Sequence, residues 1–334
     1  MIRTLALPLA IAATLTTLPA AAPTLLAPAI LFFALGMAAG WLRSDLSLPA
    51  GAARTLSLYL MLAIGFKGGV EAVQAGLSVS FATAAVLGLL LSFSLPILGF
   101  LGLRLLQLER VTAAATAAHY GSVSVVTFVA GTQFLEAAGV EFGGHMVAVM
   151  ALMETPAIIT GLLLAGAAQA EGKSRKELWR EVALNGPVFL LVGAFIIGVL
   201  TGEPGMARLE LFVGPIFQGI LCLFLLDMGL IAARRLRHGA RLKPTLVAFG
   251  VLMPLTSAVI AASIGTLSGL SVGDTAVLTM LAASASYIAA PAAMRLALPK
   301  ADSGVYLTLA LGVTFPFNVV IGLPLYTALA QALQ

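Results

Sequence analysis

The sequence predicts an all-α integral membrane protein of about ten transmembrane helices. These form two inverted five-helix repeats, in which helices four and nine are broken and cross. The composition excludes a soluble domain, because 60% of the residues are hydrophobic and only 10% are charged, whereas soluble domains carry about 25% charged residues. Apolar runs long enough to cross a hydrocarbon core of about 30 Å recur from end to end. Two of these runs are interrupted by small polar residues at corresponding places.

The N-terminal segment, residues 1–23, differs from the runs that follow it. Arg3, an apolar run and a stretch of three alanines reproduce the three regions of a signal peptide. Pro8 and Pro19 equally suit a short helix lying at the outer surface of the membrane. An interfacial helix, a cleaved signal peptide and an extra span are therefore all compatible with this segment.

The rest of the chain divides into two halves of five spans each. The first half is 24–168, the second is 183–334, and a polar cytoplasmic linker, 169–182, separates them. Because five is an odd number, the second half must run inverted relative to the first. METPAIITGLLLA at 153–165 and VTFPFNVVIGLPLY at 313–326 occupy equivalent places in the halves. The spans are expected near 24–42, 56–73, 80–103, 111–131, 143–168, 185–201, 211–232, 245–267, 274–298 and 305–330.

The distribution of basic residues tests this layout. With the linker in the cytoplasm, only Arg3, Lys67 and Arg208 of the 18 Lys and Arg fall toward the outside, and the other 15 fall on the cytoplasmic side. Such an excess is typical of cytoplasmic loops. We therefore expect both termini outside, and we interpret the net charge of +4 as a sign of topology rather than of nucleic-acid binding.

The two interrupted runs, 112–130 and 274–293, are the candidates for a binding site. A helix broken inside a membrane leaves backbone groups unpaired, which is tolerated only where the break is buried in protein or lines a polar cavity. Helix N-termini offer free N–H groups and a partial positive charge, so two that face each other make an anion site. The alternative is that the small residues only allow close helix packing. The predicted substrate-binding residues are Gly121, Ser122, Ser124, Ser284 and Ser286.

Four ionisable residues fall within or near the spans: Lys67, His119, Glu154 and Asp227. Charges at such depth usually face a cavity or a partner. Glu154 shortly precedes Pro156, so a carboxylate and freed carbonyls make a candidate cation site; the alternative is a hydrogen bond to a neighbouring helix. We interpret Lys67 and Asp227 as structural. His119 either bonds to the opposing break or packs.

No catalytic motif accompanies these residues. The sequence contains no nucleophile elbow, phosphate-binding loop or dinucleotide fingerprint, and its histidines lack paired acids at metal-ligand spacing. We predict that the protein is not an enzyme and needs no cofactor other than a coupling ion. Cys222 lies in an apolar run and is expected to be inert. The basic stretch 234–243 is expected to be a cytoplasmic loop, or a contact with lipid headgroups or a partner protein.

Several of these motifs resemble the sodium-dependent bicarbonate permeases best known from cyanobacteria, over roughly residues 24–332. In the first half the resemblance lies in YGSVSVVT at 120–127 and METPA at 153–157. In the second half it lies in LNGP at 184–187, GPIFQGIL at 214–221 and AASASYIAAPAAMRLALP at 282–299.

The resemblance implies a mobile core of spans three to five and eight to ten, which moves against a scaffold of spans one, two, six and seven. It implies bicarbonate binding where the broken helices cross and sodium binding beside it. It also implies a homo-oligomer, which in the family is thought to be a trimer. With a glutamate in place of the family's aspartate, the cation-binding residues indicated here are Ser124, Thr127, Glu154 and Ser284. Gly121, Ser286 and Pro291 also match the family pattern.

Two departures from the family pattern affect the prediction. Tyr287 stands where the family has an aspartate directly after its serines, which puts one sodium site in doubt. The linker between the halves is also shorter than in the family, which argues against docking of a small cytoplasmic signalling protein there.

The function predicted from the sequence is secondary active transport of a small monovalent anion, with sodium-coupled bicarbonate uptake by alternating access as the leading assignment. The alternatives are another small anion, cation/proton antiport, and a membrane sensor or structural subunit that transports nothing. Neither interruption contains an acid, which argues against antiport, and the paired interruptions argue against the sensor. We expect a multi-pass protein of the bacterial inner membrane, with sodium, bicarbonate and membrane lipid as its partners and no nucleic acid.

Overall fold

The chain is helical in the parts that the computed structural model describes, residues 28–75, 78–166, 186–238, 242–287 and 289–334. No strand occurs among these residues. The predicted N-terminal segment 1–23 and the linker 169–182 lie outside the described residues.

We number twelve helices along the described residues. They are α1 Pro28–Trp41, α2 Ala50–Ala75, α3 Val79–Leu105, α4 Arg110–Gly121, α5 Val125–Ala137, α6 Met146–Ala165, α7 Gly186–Val213, α8 Pro215–His238, α9 Pro244–Leu267, α10 Val272–Ala282, α11 Ala289–Ala297 and α12 Ser303–Leu333.

Eight helical stretches among the described residues are long and apolar enough to cross a membrane. α3, for example, has 27 residues and is therefore about 40 Å long, which exceeds a hydrocarbon core of about 30 Å. The α4–α5 run counts as one of the eight, and α1 and α10 are shorter apolar helices. The predicted all-α membrane fold is therefore confirmed.

Two helix pairs have the most extensive contacts, α1 with α8 and α2 with α7. Glycines lie where these helices meet. A Cβ on Gly36 would overlap the carbonyl oxygen of Leu226, and a Cβ on Gly69 would overlap that of Phe195. Small residues allow membrane helices to approach this closely, so the same packing device joins both pairs.

The remaining helices pack into a second group. α3, α4 and α6 contact one another, as do α9, α10 and α12. α10 also contacts α5 and α6, and α4 contacts α11 and α12, so the two sets interlock. The most apolar window of the α4–α5 run is 100% buried, whereas that of α7 is 17% buried. The interrupted run therefore lies at the centre of the protein and α7 at its periphery.

The sixth span differs from its prediction. Sequence analysis places its end near Thr201, whereas α7 continues to Val213. At Gly202 the backbone has φ 54° and ψ −148°, a conformation that glycine adopts without a steric penalty. The chain kinks there and resumes helical geometry, so the sequence located the end of the straight segment but not the helix that follows it.

The tenth span is one helix, α12, but it is not α-helical throughout. Two π-helical stretches, Thr308–Thr314 and Asn318–Gly322, flank a short α-helical piece at Phe315–Phe317. π-helical turns are rare and frequently lie at functional sites. Sequence analysis does not predict these two stretches.

Candidate functional site

The first interruption separates α4 from α5. α4 ends at Gly121, and Ser122 is extended with φ −81° and ψ 166°. The next helix begins at Val125, where Ser124 Oγ accepts a hydrogen bond of 3.1 Å from the backbone N–H of Thr127. A serine at this place satisfies one of the free N–H groups of a new helix. The chain therefore leaves and re-enters helical geometry within three residues, 122–124.

The second interruption separates α10 from α11. α10 ends at Ala282, and residues 284–287 are not helical. Ser286 Oγ accepts a hydrogen bond of 3.3 Å from the backbone N–H of Ala290, in the first turn of α11. Ser286 and Ser124 therefore each accept a hydrogen bond from a backbone N–H in the first turn of the helix that follows. Both interruptions lie where the sequence predicts them.

The two interruptions are bonded to each other in both directions. The backbone N–H of Ser124 donates to Ser284 Oγ at 2.8 Å, and the backbone N–H of Ser286 donates to the carbonyl oxygen of His119 at 2.8 Å. The serines at 122, 124, 284 and 286 are all buried. These bonds bring three of the five predicted substrate-binding residues, Ser124, Ser284 and Ser286, into one polar centre, and Ser122 lies two residues before Ser124.

Glu154 on α6 borders this centre. Its side chain is 5% exposed, and Ser286 Oγ donates to its Oε1 at 3.4 Å. Ser122 Oγ lies beside the same carboxyl group, close enough to interact with it but outside hydrogen-bonding geometry. Among the side chains that the structure describes, no basic group forms an ion pair with Glu154. A buried carboxylate without a counter-charge is costly, which makes this position a candidate cation site.

The backbone around Glu154 is held by Ser92 of α3. Ser92 Oγ donates to the carbonyl oxygen of Met153 at 2.5 Å and accepts from the N–H of Ala157 at 3.1 Å. This hydroxyl bridges the turn of α6 that contains Pro156, a residue that lacks an N–H group. Ser92 therefore positions the helix on which the carboxylate sits.

Two further polar groups at the centre lack hydrogen-bond partners. The hydroxyls of Ser122 and Tyr287 are buried and form no hydrogen bond with the described residues, although Tyr287 lies beside Ser124. Leaving a buried polar group unsatisfied costs about 1–3 kcal/mol. Such groups are rare in native proteins and mark places where an ion or small ligand is expected.

The remaining candidate site residues take part in helix packing or in backbone hydrogen bonds. A Cβ on Gly121 would overlap the ring of Pro96, so this glycine allows α4 to approach α3. Thr127 is joined to Ser124 through its backbone N–H. His119 contacts the opposing interruption through its carbonyl oxygen, while its ring packs against Tyr306 with a centroid distance of 4.4 Å. For His119, both alternatives of the sequence analysis therefore hold in part.

Lys67 lies away from this centre, in the C-terminal part of α2. It forms ion pairs of 3.6 Å with Glu71 and 3.8 Å with Glu136. These residues line a cavity of about 210 Å³ that reaches Phe128, one turn beyond the first interruption. Asp227, which the sequence analysis interprets as structural, is buried in α8.

Several polar residues near the centre were missed by sequence reasoning. The Thr314 hydroxyl donates its hydrogen to the carbonyl oxygen of Gly250. In the 2.7 Å bond between Tyr120 OH and Thr314 Oγ1, the tyrosine is therefore the donor. Asn318 bonds to the carbonyl oxygen of Ala283 at 2.9 Å. Asn318 could have been found from the sequence, because it is an amide in the middle of an apolar span and polar groups at membrane depth are often functional.

These observations define the class of the protein. Membrane-length helices surround two interrupted helices that bond to each other and enclose polar groups without partners. Paired discontinuous helices at the centre of a membrane protein are typical of secondary transporters.

The family follows from comparison with known proteins. The model of the Na+-dependent bicarbonate transporter superfamily matches residues 28–331, and the chain belongs to this superfamily. The resemblance seen in the sequence motifs is thereby confirmed. The superfamily consists of transporters rather than enzymes, and the chain is a multi-pass membrane protein. A comparison with curated proteins gives no match.

Proposed function

We propose that the protein takes up bicarbonate together with sodium, by alternating access around the paired interruptions. The observation that carries the proposal is the mutual bonding of the interruptions, Ser124 N–H to Ser284 Oγ and Ser286 N–H to the His119 carbonyl, beside polar groups without partners. Family membership supports the same substrates.

The anion is held by helix N-termini and serine hydroxyls. α5 begins at Val125 and α11 at Ala289, so two N-terminal ends with free N–H groups adjoin the polar centre. Such ends attract anions without a basic side chain. Hydroxyls at Ser122 and Ser124 add hydrogen-bond donors for a small anion such as bicarbonate.

Sodium binds at Glu154, with serine oxygens completing its surroundings. Hard cations prefer oxygen ligands, and Ser122 and Ser286 place hydroxyl oxygens beside the carboxylate. Ser124, Thr127 and Ser284 belong to the same polar centre and complete the proposed set. Tyr287 contributes only a neutral hydroxyl where the family has a carboxylate. In this proposal Glu154 alone therefore supplies the negative charge that compensates sodium.

Coupling between the two ions follows from electrostatics. Bicarbonate and Glu154 are both negative, and opposite charges attract strongly in surroundings of low dielectric constant. Sodium therefore lowers the free energy of the bound anion, and by reciprocity bicarbonate strengthens sodium binding by the same factor. Bicarbonate alone would face the ionised Glu154 in a buried site, whereas sodium neutralises that carboxylate and removes the repulsion.

The proposed architecture is ten spans in two inverted repeats. Helix contacts support this, because three pairs of contacts correspond between the halves: α1 with α8 and α7 with α2, α3 with α6 and α9 with α12, α4 with α6 and α10 with α12. The eight membrane-length stretches together with α1 and α10 account for ten spans. In this arrangement α3–α6 and α9–α12 form the mobile core, and α1, α2, α7 and α8 form the scaffold. We place the protein in the bacterial inner membrane, and the distribution of basic residues supports an orientation with the linker inside.

Uptake of labelled bicarbonate into proteoliposomes tests the proposal. We expect uptake to require an inward sodium gradient and to stop when the gradient is collapsed by a sodium ionophore. Liposomes without protein and liposomes with the Ser124→Ala, Ser286→Ala double variant are the controls. Uptake that ignores sodium and follows a proton gradient would exclude sodium coupling, and no uptake of bicarbonate under either gradient would exclude the substrate.

A further inference from the structure

Asn318 begins the second π-helical stretch of α12 and is fully buried. Its Nδ2 donates to the carbonyl oxygen of Ala283 at 2.9 Å, and its Oδ1 accepts from the hydroxyl of Tyr326 at 2.7 Å. A backbone carbonyl can only accept, so the amide nitrogen must face Ala283 and the amide oxygen must face Tyr326. Both ends of the side-chain amide are therefore engaged.

The carbonyl that Asn318 reaches belongs to the peptide that leads into Ser284. α10 ends at Ala282, so the carbonyls of its last turn lack helical donors. The N–H at the other end of this peptide, from Ser284, donates to the carbonyl oxygen of Leu281 at 3.1 Å. Because a peptide unit is planar, holding its carbonyl and its N–H fixes the direction in which the Ser284 side chain leaves the backbone.

The Ser284 side chain connects this peptide to the first interruption. Its hydroxyl donates to the carbonyl oxygen of Leu281 at 2.8 Å and accepts from the N–H of Ser124 at 2.8 Å. A continuous series of contacts thus runs from Tyr326 through Asn318 and the Ala283–Ser284 peptide to Ser124. It joins α12 to both interruptions.

Gly322 provides the space that this series needs. A Cβ at Gly322 would lie 2.9 Å from Asn318 Oδ1 and 2.8 Å from the ring of Tyr326. Contacts that short require a neighbour to move, and both neighbours are enclosed in the core. Asn318, Gly322 and Tyr326 are spaced four residues apart along α12. The glycine leaves the space in which the Tyr326 hydroxyl bonds to the amide of Asn318.

We propose that Asn318 is a positioning residue for substrate binding, which holds the Ala283–Ser284 peptide so that the Ser284 hydroxyl faces the first interruption. Tyr326 in turn holds the amide of Asn318. Because both ends of the Asn318 amide are bonded within the protein, to Ala283 and Tyr326, we assign this residue a role that acts through Ser284. The inference rests on the proposed function, because the site that Asn318 organises is the proposed anion site.

The test compares Asn318→Ala and Tyr326→Phe with Thr327→Val in proteoliposomes. Thr327 is the neighbour of Tyr326, and its buried hydroxyl bonds only within its own helix, to the carbonyl oxygen of Leu323 at 2.9 Å. At saturating sodium we expect the half-saturating bicarbonate concentration to rise about tenfold for Asn318→Ala and about threefold for Tyr326→Phe. Thr327→Val should stay near the wild-type value. Tyr326→Phe keeps the ring, so it provides a test even if Asn318→Ala does not fold.

A double variant separates positioning from a general loss of stability. If Asn318 acts through Ser284, Asn318→Ala should change the half-saturating concentration little in a Ser284→Ala background, since contacting residues couple. Equal effects in both backgrounds, or an unchanged value in Tyr326→Phe, would overturn the proposal. Bicarbonate-dependent thermal stabilisation, measured in detergent, gives the same comparison without transport. A wild-type protein that is neither stabilised by bicarbonate nor transports it would instead refute the proposed function and the inference together.

Discussion

The backbone N–H of Ser124 donates to Ser284 Oγ at 2.8 Å, although the two residues are 160 positions apart in the chain. Each residue lies in one of the two interruptions. A ligand held at this contact touches both halves of the chain at once, so binding is sensitive to how the halves are arranged. The reverse bond, from Ser286 N–H to the His119 carbonyl, makes the two interruptions one polar unit.

Removing a serine hydroxyl from this unit should weaken transport. Ser124→Ala loses the oxygen that caps α5, and Ser286→Ala loses the contact with Glu154. A lost hydrogen bond to a charged group costs about 1.5–3 kcal/mol, so we expect the half-saturating bicarbonate concentration to rise about tenfold or more. Both variants should still reach the membrane, which blotting of membrane fractions checks.

The matched control is Ser94→Ala on α3, a serine whose hydroxyl contacts only the Leu91 carbonyl of its own helix, at 3.4 Å. It should transport like wild type. Wild-type uptake by both Ser124→Ala and Ser286→Ala would mean that these serines serve packing alone.

Glu154→Gln should affect sodium more than bicarbonate. Glutamine keeps the size and one carbonyl oxygen of the side chain but removes the negative charge that offsets the desolvation of sodium. We expect the sodium concentration for half-maximal uptake to rise at least about tenfold, while bicarbonate affinity at saturating sodium changes little. Initial uptake rates over a sodium titration measure this.

Tyr287 provides the comparison for Glu154. Its hydroxyl makes no hydrogen bond with the described residues, so Tyr287→Phe should leave sodium dependence nearly unchanged. Tyr287→Asp adds a carboxylate where the family has one and should strengthen sodium binding. A larger sodium effect in Tyr287→Phe than in Glu154→Gln would move the cation site away from Glu154.

A cross-link across the core–scaffold boundary should stop transport. Gln133 Nε2 on α5 donates to Gln218 Oε1 on α8 at 3.0 Å, and this contact joins a proposed core helix to a scaffold helix. Cysteines at these two positions, in a Cys222→Ala background, should be joined by a bifunctional methanethiosulfonate reagent that fills the space of the two glutamine side chains and is released by reduction. Uptake should fall to background and return on reduction, because alternating access requires the two parts to move apart.

The control for this cross-link lies within the scaffold. Gln74 Nε2 on α2 donates to Glu203 Oε1 on α7 at 3.1 Å, and both helices belong to the proposed scaffold. The same reagent should join cysteines at 74 and 203 and leave uptake intact. Full activity of the cross-linked 133–218 pair would contradict movement of α5 against α8.

The orientation in the membrane is tested at the linker. Ser174 lies in the polar segment that the distribution of basic residues assigns to the cytoplasm. Ser174→Cys, combined with Cys222→Ala, should react with a membrane-impermeant maleimide only after the cells are opened. Labelling in intact cells would reverse the predicted topology.

The helices and their interruptions were predictable because both depend on local composition. A run of about 20 apolar residues has few alternatives to a membrane helix. Serines, glycine and proline within such runs, as at Ser122–Ser124 and Ser284–Ser286, indicate where the helix stops. The kink at Gly202 and the π-helical stretches of α12 escaped prediction, because they depend on backbone geometry that apolar sequence does not specify.

The sequence by itself determined the class of protein, the positions of the two interruptions and the residue types available there. Only the tertiary structure decided the partners: Ser124 with Ser284, Ser286 with Glu154, and Asn318 with the Ala283 carbonyl. The physical reason is the separation along the chain over which each effect acts. Hydrophobicity and helix breaking act within a few residues, whereas each of these bonds depends on how separate helices pack, and side chains distant in sequence come within about 3 Å only in the folded protein.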